Sequence, residues 1–317
     1  MQKRTGRILS ILLIALLLLP FSGCSIPSYP QSTPSQTANA PLASLVPTPA
    51  PTPEDPLSPL TLTVVDVAHG DFLLVQGDGK TMVVDTGEET ARKKVRQTLD
   101  SRGITTIDVL LLTHPHTDHI GNAAYILKNY DVKEVYLTGK AHTTKTYRDL
   151  LDALEEKPHI PVREAKPGVS FSFAGANCTF FGPLSLEDEA LNNTSAVLLL
   201  SYGTARMLLT GDLELSGEGK YIDAYGEALQ ADVLKIGHHG TDSTGVPLQQ
   251  MVKPTIAIIS MRPLEEYTEK NQEKKLAILQ SLKDQFRTQC YRTDSHGDVS
   301  ITTDGISITV ATEKAPK

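Results

Sequence analysis

A short apolar run, Ile107–Leu112, stops at Thr113 and opens directly into His114-Pro115-His116-Thr117-Asp118-His119. Four side chains able to bind metal fall within this one turn-sized segment, in a chain of 317 residues with nine histidines. The apolar run reads as a fully buried strand. Pro115 biases His114 toward extended backbone. Residues two apart in extended chain point the same way, so His114 and His116 can grip one ion. Asp118 and His119 arrive as the chain turns into a helix, and can reach a second ion beside the first. The fold must therefore bring a buried strand end, a turn and a helix start to one open edge.

Further donors lie downstream. Arg206–Thr210 is a hydrophobic strand pattern that ends in Gly211-Asp212, where a carboxylate can bridge two ions. Asp232–Ile236 is another, ending in Gly237-His238-His239-Gly240. Glycines on both sides let the backbone come close to an ion or a phosphate. One histidine of the pair can close the metal site while its neighbour touches substrate. His239 is read as the ligand and His238 as phosphate contact or general acid, with the reverse order left open. Asp118 and His238 are the candidate catalytic residues.

Four segments divide the chain. Residues 1–24 carry Lys3, Arg4 and Arg7 before an apolar stretch, Ile8–Leu19, of signal-peptide length. Phe21-Ser22-Gly23-Cys24 resembles a bacterial lipobox, which implies acylation of Cys24 and a lipid-anchored protein on the outer face of the cytoplasmic membrane. An uncleaved membrane anchor is the alternative, for which the stretch is short. Residues 25–59 are rich in Pro, Ser and Thr and nearly uncharged, a tether that cannot bury enough apolar surface to order itself. Residues 60–311 form the globular domain and 312–317 a disordered tail. The net charge of −7 provides no long-range pull on nucleic acid or anionic lipid. Cys178 and Cys290 sit in strand-like runs and are expected as buried free thiols, although an exported chain could pair them.

Within the domain, strands are expected at Leu60–Val67, Phe72–Gln76, Thr81–Asp85, Ile107–Leu112, Lys133–Leu137, Val169–Phe173, Asn177–Phe181, Ser195–Tyr202, Arg206–Thr210, Asp232–Ile236 and Thr255–Ser260. Closing strands follow near 288–292, 298–303 and 306–310. Helices are expected at Glu88–Arg102, Asp118–Lys128, Thr143–Glu156, Glu214–Leu229 and Glu269–Phe286. Strands with interspersed helices in both halves suit an α/β chain with two sheets face to face and helices outside. His142 and His159 read as surface residues, and His296, in a turn, as a minor site candidate. Lys235 and Arg206, inside strands, are expected to pack or pair.

In order, the segments Val65-Asp66-Val67-Ala68-His69-Gly70-Asp71, Val83-Val84-Asp85-Thr86-Gly87, Thr113–His119, Asn193-Thr194-Ser195, Leu208–Asp212 and Lys235–Gly240 resemble those of metallo-β-lactamase-fold hydrolases. More narrowly they are similar to the hydrolase domain of the competence protein ComEC and its stand-alone secreted relatives. The resemblance spans about Leu60 to Val310. It implies a four-layer αββα sandwich with ligand loops along one edge, and two divalent metal ions, zinc or manganese, held by His114, His116, Asp118, His119, Asp212 and His239. It also implies that Asp85 supports the metal loop from behind, that His69-Gly70-Asp71 is a structural or site-lining turn, and that Asn193 supports or lines the site. The activity implied is hydrolysis of an anionic phosphodiester, in nucleic acid or a phosphorylated wall component. A carbonyl hydrolase of lactonase or lactamase type and a non-catalytic metal-containing binding module are the alternatives. The membrane, through the lipid anchor, is the other expected partner, and no protein partner is implied.

Three departures stand out. No histidine precedes Asp212 where the wider fold often has one, since that region reads Leu191-Asn192-Asn193-Thr194-Ser195. Solvent or an Asn oxygen would then complete the first site. The ComEC-like Asp-Val-Gly-Gln-Gly-Asp has become Asp-Val-Ala-His69-Gly-Asp. After Ser260 stands Met261-Arg262-Pro263-Leu264-Glu265-Glu266-Tyr267, where the family commonly has an Asn and a Gly-His-Pro segment.

Overall fold

The structure is a computed structural model that describes residues 55–315. The expected signal peptide, Cys24 and most of the expected tether lie outside the described residues. From the N-terminus come β1 (Leu60–Val64), β2 (Leu73–Gly77), β3 (Lys80–Val84), α1 (Arg92–Ser101), β4 (Thr106–Ile107), β5 (Val109–Leu112), α2 (Thr117–Ile120) and α3 (Ala123–Asn129). Next are β6 (Asp131–Val132), β7 (Val135–Leu137), α4 (Lys145–Glu155), β8 (Val162–Glu164), β9 (Ser170–Phe173), β10 (Ala176–Phe180), β11 (Leu198–Tyr202) and β12 (Ala205–Leu209). The last third holds α5 (Leu215–Tyr225), β13 (Val233–Lys235), α6 (Val246–Val252), β14 (Ile256–Ile259), α7 (Glu269–Phe286), β15 (Gln289–Arg292), α8 (Thr293–His296), β16 (Val299–Thr303) and β17 (Ile308–Thr312).

Two sheets carry the fold, in the orders β17-β16-β1-β2-β3-β5-β7-β8 and β15-β14-β13-β12-β11-β10-β9, with β4 and β6 as a small separate pair. The alternating strands turn one set of side chains toward the facing sheet. Leu62, Val75, Met82 and Leu111 of the first sheet bury against Phe180, Leu198, Leu209 and Ile258 of the second. The opposite faces are also apolar and are covered by helices. Leu74, Val83 and Leu110 pack on Val95 and Leu99 of α1 and Ile126 of α3, while Leu199, Leu208 and Leu234 pack on Tyr221 of α5 and Leu248 of α6. The result is the αββα sandwich.

What positions the site is strand direction. β3, β5, β7 and β8 run parallel, as do β12 to β15. The carboxyl ends of parallel strands leave a crevice where loops can converge. Asp85 follows β3, His114 follows β5, Asp212 follows β12, His239 follows β13 and Ser260 follows β14.

Several boundaries differ from expectation. The helix expected over 118–128 is two helices, broken at Gly121-Asn122. Gly121 lies so close to the Gly87 carbonyl and the Glu89 amide that a Cβ would sit 2.6 and 2.5 Å from them. Asn122 then spends its amide on the Thr86 and Glu88 carbonyls instead of continuing a helix surface. β1 stops at Val64, because the chain turns at Ala68 with φ 64°. The folded unit also reaches beyond 60–311: the Leu57 amide donates to the Asp304 carbonyl, the Tyr202 hydroxyl to the Ser58 carbonyl, and β17 runs to Thr312. Cys178 and Cys290 are free thiols. Among the described residues no helix is long and apolar enough to cross a membrane.

Candidate metal centre

Past β5 the chain bends at His114-Pro115, and His116 is extended, with φ and ψ of −71° and 149°. His114 Nε2 and His116 Nδ1 stand 3.0 Å apart, aimed at one point. α2 then turns Asp118 and His119 up beside them. Gly70 allows this loop to sit where it does: its φ is 97°, and a Cβ there would overlap the Asp118 carbonyl.

Asp212 reaches across from the second sheet. Its Oδ2 is 3.1 Å from His119 Nε2, 3.7 Å from His239 Nε2 and 3.9 Å from His114 Nε2. His239 Nε2 is in turn 3.4 Å from Asp118 Oδ2. The donors therefore form two sets that share Asp212: His114, His116 and Asp212; and Asp118, His119, Asp212 and His239. His119 Nε2, His239 Nε2 and Asp212 Oδ1 are buried without any hydrogen-bond partner. Three polar atoms of one donor group left so would be costly in a finished interior. All three carry the lone pairs that a divalent cation takes, so these residues fit metal ions.

Asp71, Asp85 and His119 also cluster, but their oxygens are already used. Asp85 accepts from the Thr113 amide at 2.8 Å, the Thr113 hydroxyl at 2.7 Å and His119 Nδ1 at 2.7 Å. That bond keeps the His119 proton on Nδ1 and turns Nε2 toward the centre. Asp71 pairs with the buried Lys235 ammonium at 2.9 Å and accepts from the Ser260 hydroxyl. Lys235 thus pairs inside the fold.

The two adjacent histidines separate sharply. Both have left-handed backbone, φ 43° and 49°, which throws successive side chains to different sides. His239 is buried in the centre, its Nδ1 3.1 Å from the Ser260 carbonyl. His238 stays on the rim, with Nδ1 3.3 Å from Glu214 Oε1 and Nε2 3.2 Å from Asn192 Nδ2. Lys275 of α7 holds the turn from behind, donating to the His239 carbonyl and, at 2.9 Å, to the Thr241 hydroxyl.

Some residues fall elsewhere than expected. Asn193 does not line the centre; it pins a loop, accepting from the Glu214 amide and donating to Ser216. Its neighbour Asn192 reaches His238 instead, and leaves Oδ1 buried and unpartnered. His142 is not a plain surface residue: its ring stands 6.2 Å from that of His116, edge to face. His159 is exposed. His296 bonds within its own turn, to Arg292 and Ser295, and lines a separate cavity with Leu276, Lys283 and Cys290. His69 does reach the centre, with Nε2 3.4 Å from Asp118 Oδ2. The polar stretch around His142 resembles any helix start, so only the placement of its loop reveals the contact.

Electrostatics among these side chains set the proton load of the centre. Burial works against a charged His119, yet the Asp212, Asp85 and Asp118 carboxylates outweigh it and hold its pKa well above the ordinary imidazole value. His239 is raised in the same way, burial being overcome by Asp212, Asp118 and Asp71. Burial opposes charge on Asp212 and Asp118 too, but the imidazoles hold both carboxyls below the usual range. His114 is pushed well down by burial and by His119. A cation must therefore displace protons from His119 and His239, and its apparent affinity should rise with pH from the ordinary imidazole range upward. Titrating Zn²⁺ into the chain at pH 7 in two buffers of different ionisation enthalpy should show net proton release. Zinc binding with no proton release would contradict this balance.

Comparison with known proteins agrees with this geometry. The sequence profile of the Metallo-beta-lactamase superfamily matches residues 65–261. ComE operon protein 3 of Bacillus subtilis is 31% identical over 256 residues, covering 74% of this chain and 32% of that protein. Recombination protein 2 of Haemophilus influenzae is 30% identical over 202 residues, covering 62% of this chain and 23% of that protein. The chain thus spans about a third or less of the length of these relatives. Among solved structures, CmlA, a diiron beta-hydroxylase from Streptomyces venezuelae, superposes with a TM-score of 0.52 at 15% identity, over 78% of this chain and 54% of that one, a likeness of fold alone. The profile spans β5, α2, β12 and β13 with the donors that follow them, so the chain belongs to the metallo-beta-lactamase superfamily and is a metal-dependent hydrolase.

Proposed function

We propose that the chain is an extracellular, lipid-anchored phosphodiesterase that works with two divalent ions, zinc or manganese. The observation that carries this reading is the composition of the rim. Around a carboxylate-rich centre stand three further imidazoles, His69 beside Asp118, His142 beside His116 and His238 beside Glu214. Seven of the nine histidines gather in this one region. A mouth lined by such donors suits a substrate rich in anionic oxygens. Relatives named for competence and recombination suit nucleic acid as the source of that bond, and a phosphorylated wall component would present the same chemistry.

His114, His116 and Asp212 would hold one ion, and Asp118, His119, Asp212 and His239 the other. When bound, the ions supply Lewis acidity and a water acidic enough to act as nucleophile at neutral pH. The protein's own groups do the rest. Asp118, kept as a carboxylate, orients the attacking water by accepting its hydrogen bond. His238, with Glu214 at its Nδ1, carries a proton at the rim where the leaving oxygen departs.

The membrane fraction of expressing cells should hydrolyse bis-p-nitrophenyl phosphate when Mn²⁺ or Zn²⁺ is supplied. Cys24→Ser should move that activity into the medium. His116→Ala should lower it by about 100-fold or more, since loss of even an outer partner of a ligand costs about 10–100-fold. The absence of metal-dependent turnover, or turnover indifferent to His116→Ala, would refute the enzymatic reading; activity that ignores Cys24→Ser would refute the anchor.

A further inference from the structure

Two nitrogens near the His239 turn are left over by the fold's hydrogen bonding. His69 Nδ1 and Arg262 Nε are both buried and make no hydrogen bond. His69 is fixed by its other edge, with Nε2 3.4 Å from Asp118 Oδ2 and its ring 5.1 Å from that of His239. Arg262 comes from the opposite end of the domain. It lies two residues past Ser260, whose hydroxyl is 3.4 Å from His239 Nδ1 and bonds Asp71. Its guanidinium lies 4.6 Å over the Tyr267 ring, and its amide donates to the Tyr267 hydroxyl. The carboxylate of Glu266 is 4.0 Å from Nε, a long, exposed ion pair that makes no hydrogen bond. Lys275 shares the Tyr267 ring with Arg262, its ammonium 4.1 Å from the ring centroid, and donates to the His239 carbonyl, which ties Arg262 to the His239 turn.

These residues are two of the departures noted in the sequence, and the fold brings both to the His239 turn. A stacked, partly desolvated guanidinium has a fork of donors that matches phosphate oxygens. We propose that His69 and Arg262 form an anion subsite that takes a phosphate oxygen of the substrate beside Asp118 and His239. This rests on the phosphodiester reading and deepens it. The phosphate is either the one being cut or its neighbour along the chain.

The test need not depend on turnover. The full chain loaded with Zn²⁺ is titrated calorimetrically with inorganic phosphate, with thermal melting of each variant in parallel. Arg262→Ala and His69→Gln should each weaken phosphate about tenfold. Arg262→Lys, which keeps the charge and loses the fork, should recover part of the loss and carries the test if the alanine variant melts early. Steady-state kinetics then separate the two sources. For the scissile phosphate, Arg262→Ala lowers kcat/KM alike for bis-p-nitrophenyl phosphate and for a thymidine dinucleotide bearing a 5′-phosphate. For a neighbouring phosphate, only the dinucleotide suffers, through KM. Unchanged phosphate affinity in folded Arg262→Lys and His69→Gln would overturn the subsite, even in a protein that hydrolyses both substrates. Weakened phosphate binding in a protein without turnover would keep the subsite and remove the enzymatic reading instead.

Discussion

Replacing Asp212 with alanine should lower kcat/KM for a phosphodiester by about a thousandfold or more and deplete both metal positions together. Loss of a residue that merely orients a ligand costs about 10–100-fold in affinity or activity. Asp212 stands in both donor sets, within 3.1–3.9 Å of His119, His239 and His114. No other carboxylate is shared in that way among the described donor groups. Asp212→Asn, which keeps the shape and one oxygen, should fall between. Metal content by plasma mass spectrometry and kcat/KM should drop in step; a variant that retains two ions and near-parental kcat/KM would refute the bridging role.

The second large effect concerns stability. Lys235 and Asp71 are both almost completely buried, 1% and 2% exposed, and 2.9 Å apart. Removing one partner from a buried pair costs about 3–5 kcal/mol, because the other charge is left uncompensated. Lys235→Met or Asp71→Ala should therefore lower Tm by roughly 10 °C in a domain of this size. Lys235→Met with Asp71→Leu should cost less than the sum of the singles. The acid side follows from the same pair. Burial would raise the Asp71 carboxyl, but Lys235 and His239 overcome it and hold the pKa below its ordinary value. A depressed carboxyl contributes its stability above the unfolded pKa and loses it as pH falls through the folded one. The pair should thus hold through neutral and mildly acidic solution. Urea unfolding that finds either single variant within 1 kcal/mol of the parent would contradict this account.

Much of this was legible in the chain because it depends on local spacing. His114, His116, Asp118 and His119 follow from a strand end, a proline and a turn. Asp212 and His239 follow from apolar strands that stop abruptly. The two sheets follow from alternation, and their outer helices from the second apolar face. What was not legible depends on contacts between distant segments. Gly121 reads as one tolerable glycine within a helix until the Gly87 and Glu89 backbone is placed against it. Asn192 and Asn193 are indistinguishable until one of them meets His238. The roles of His238 and His239 are set by two successive left-handed residues, which no periodicity announces. His142 carries no signal until its loop is brought to the rim, and Arg262 shows in the sequence only as part of a departure from the family's segment.

Asp212 and His239 ride on one sheet, and His114, His116, Asp118 and His119 on the other. Neither half of the sandwich owns a complete set of donors, so an ion can be gripped only after the halves have docked. Cation capture is then a late event in folding and acts as a clasp across the seam. When free metal is about a thousand times its Kd, such a clasp holds the docked state by about 4 kcal/mol. Resistance to unfolding would then follow the supply of metal around the protein as closely as its hydrolytic activity does.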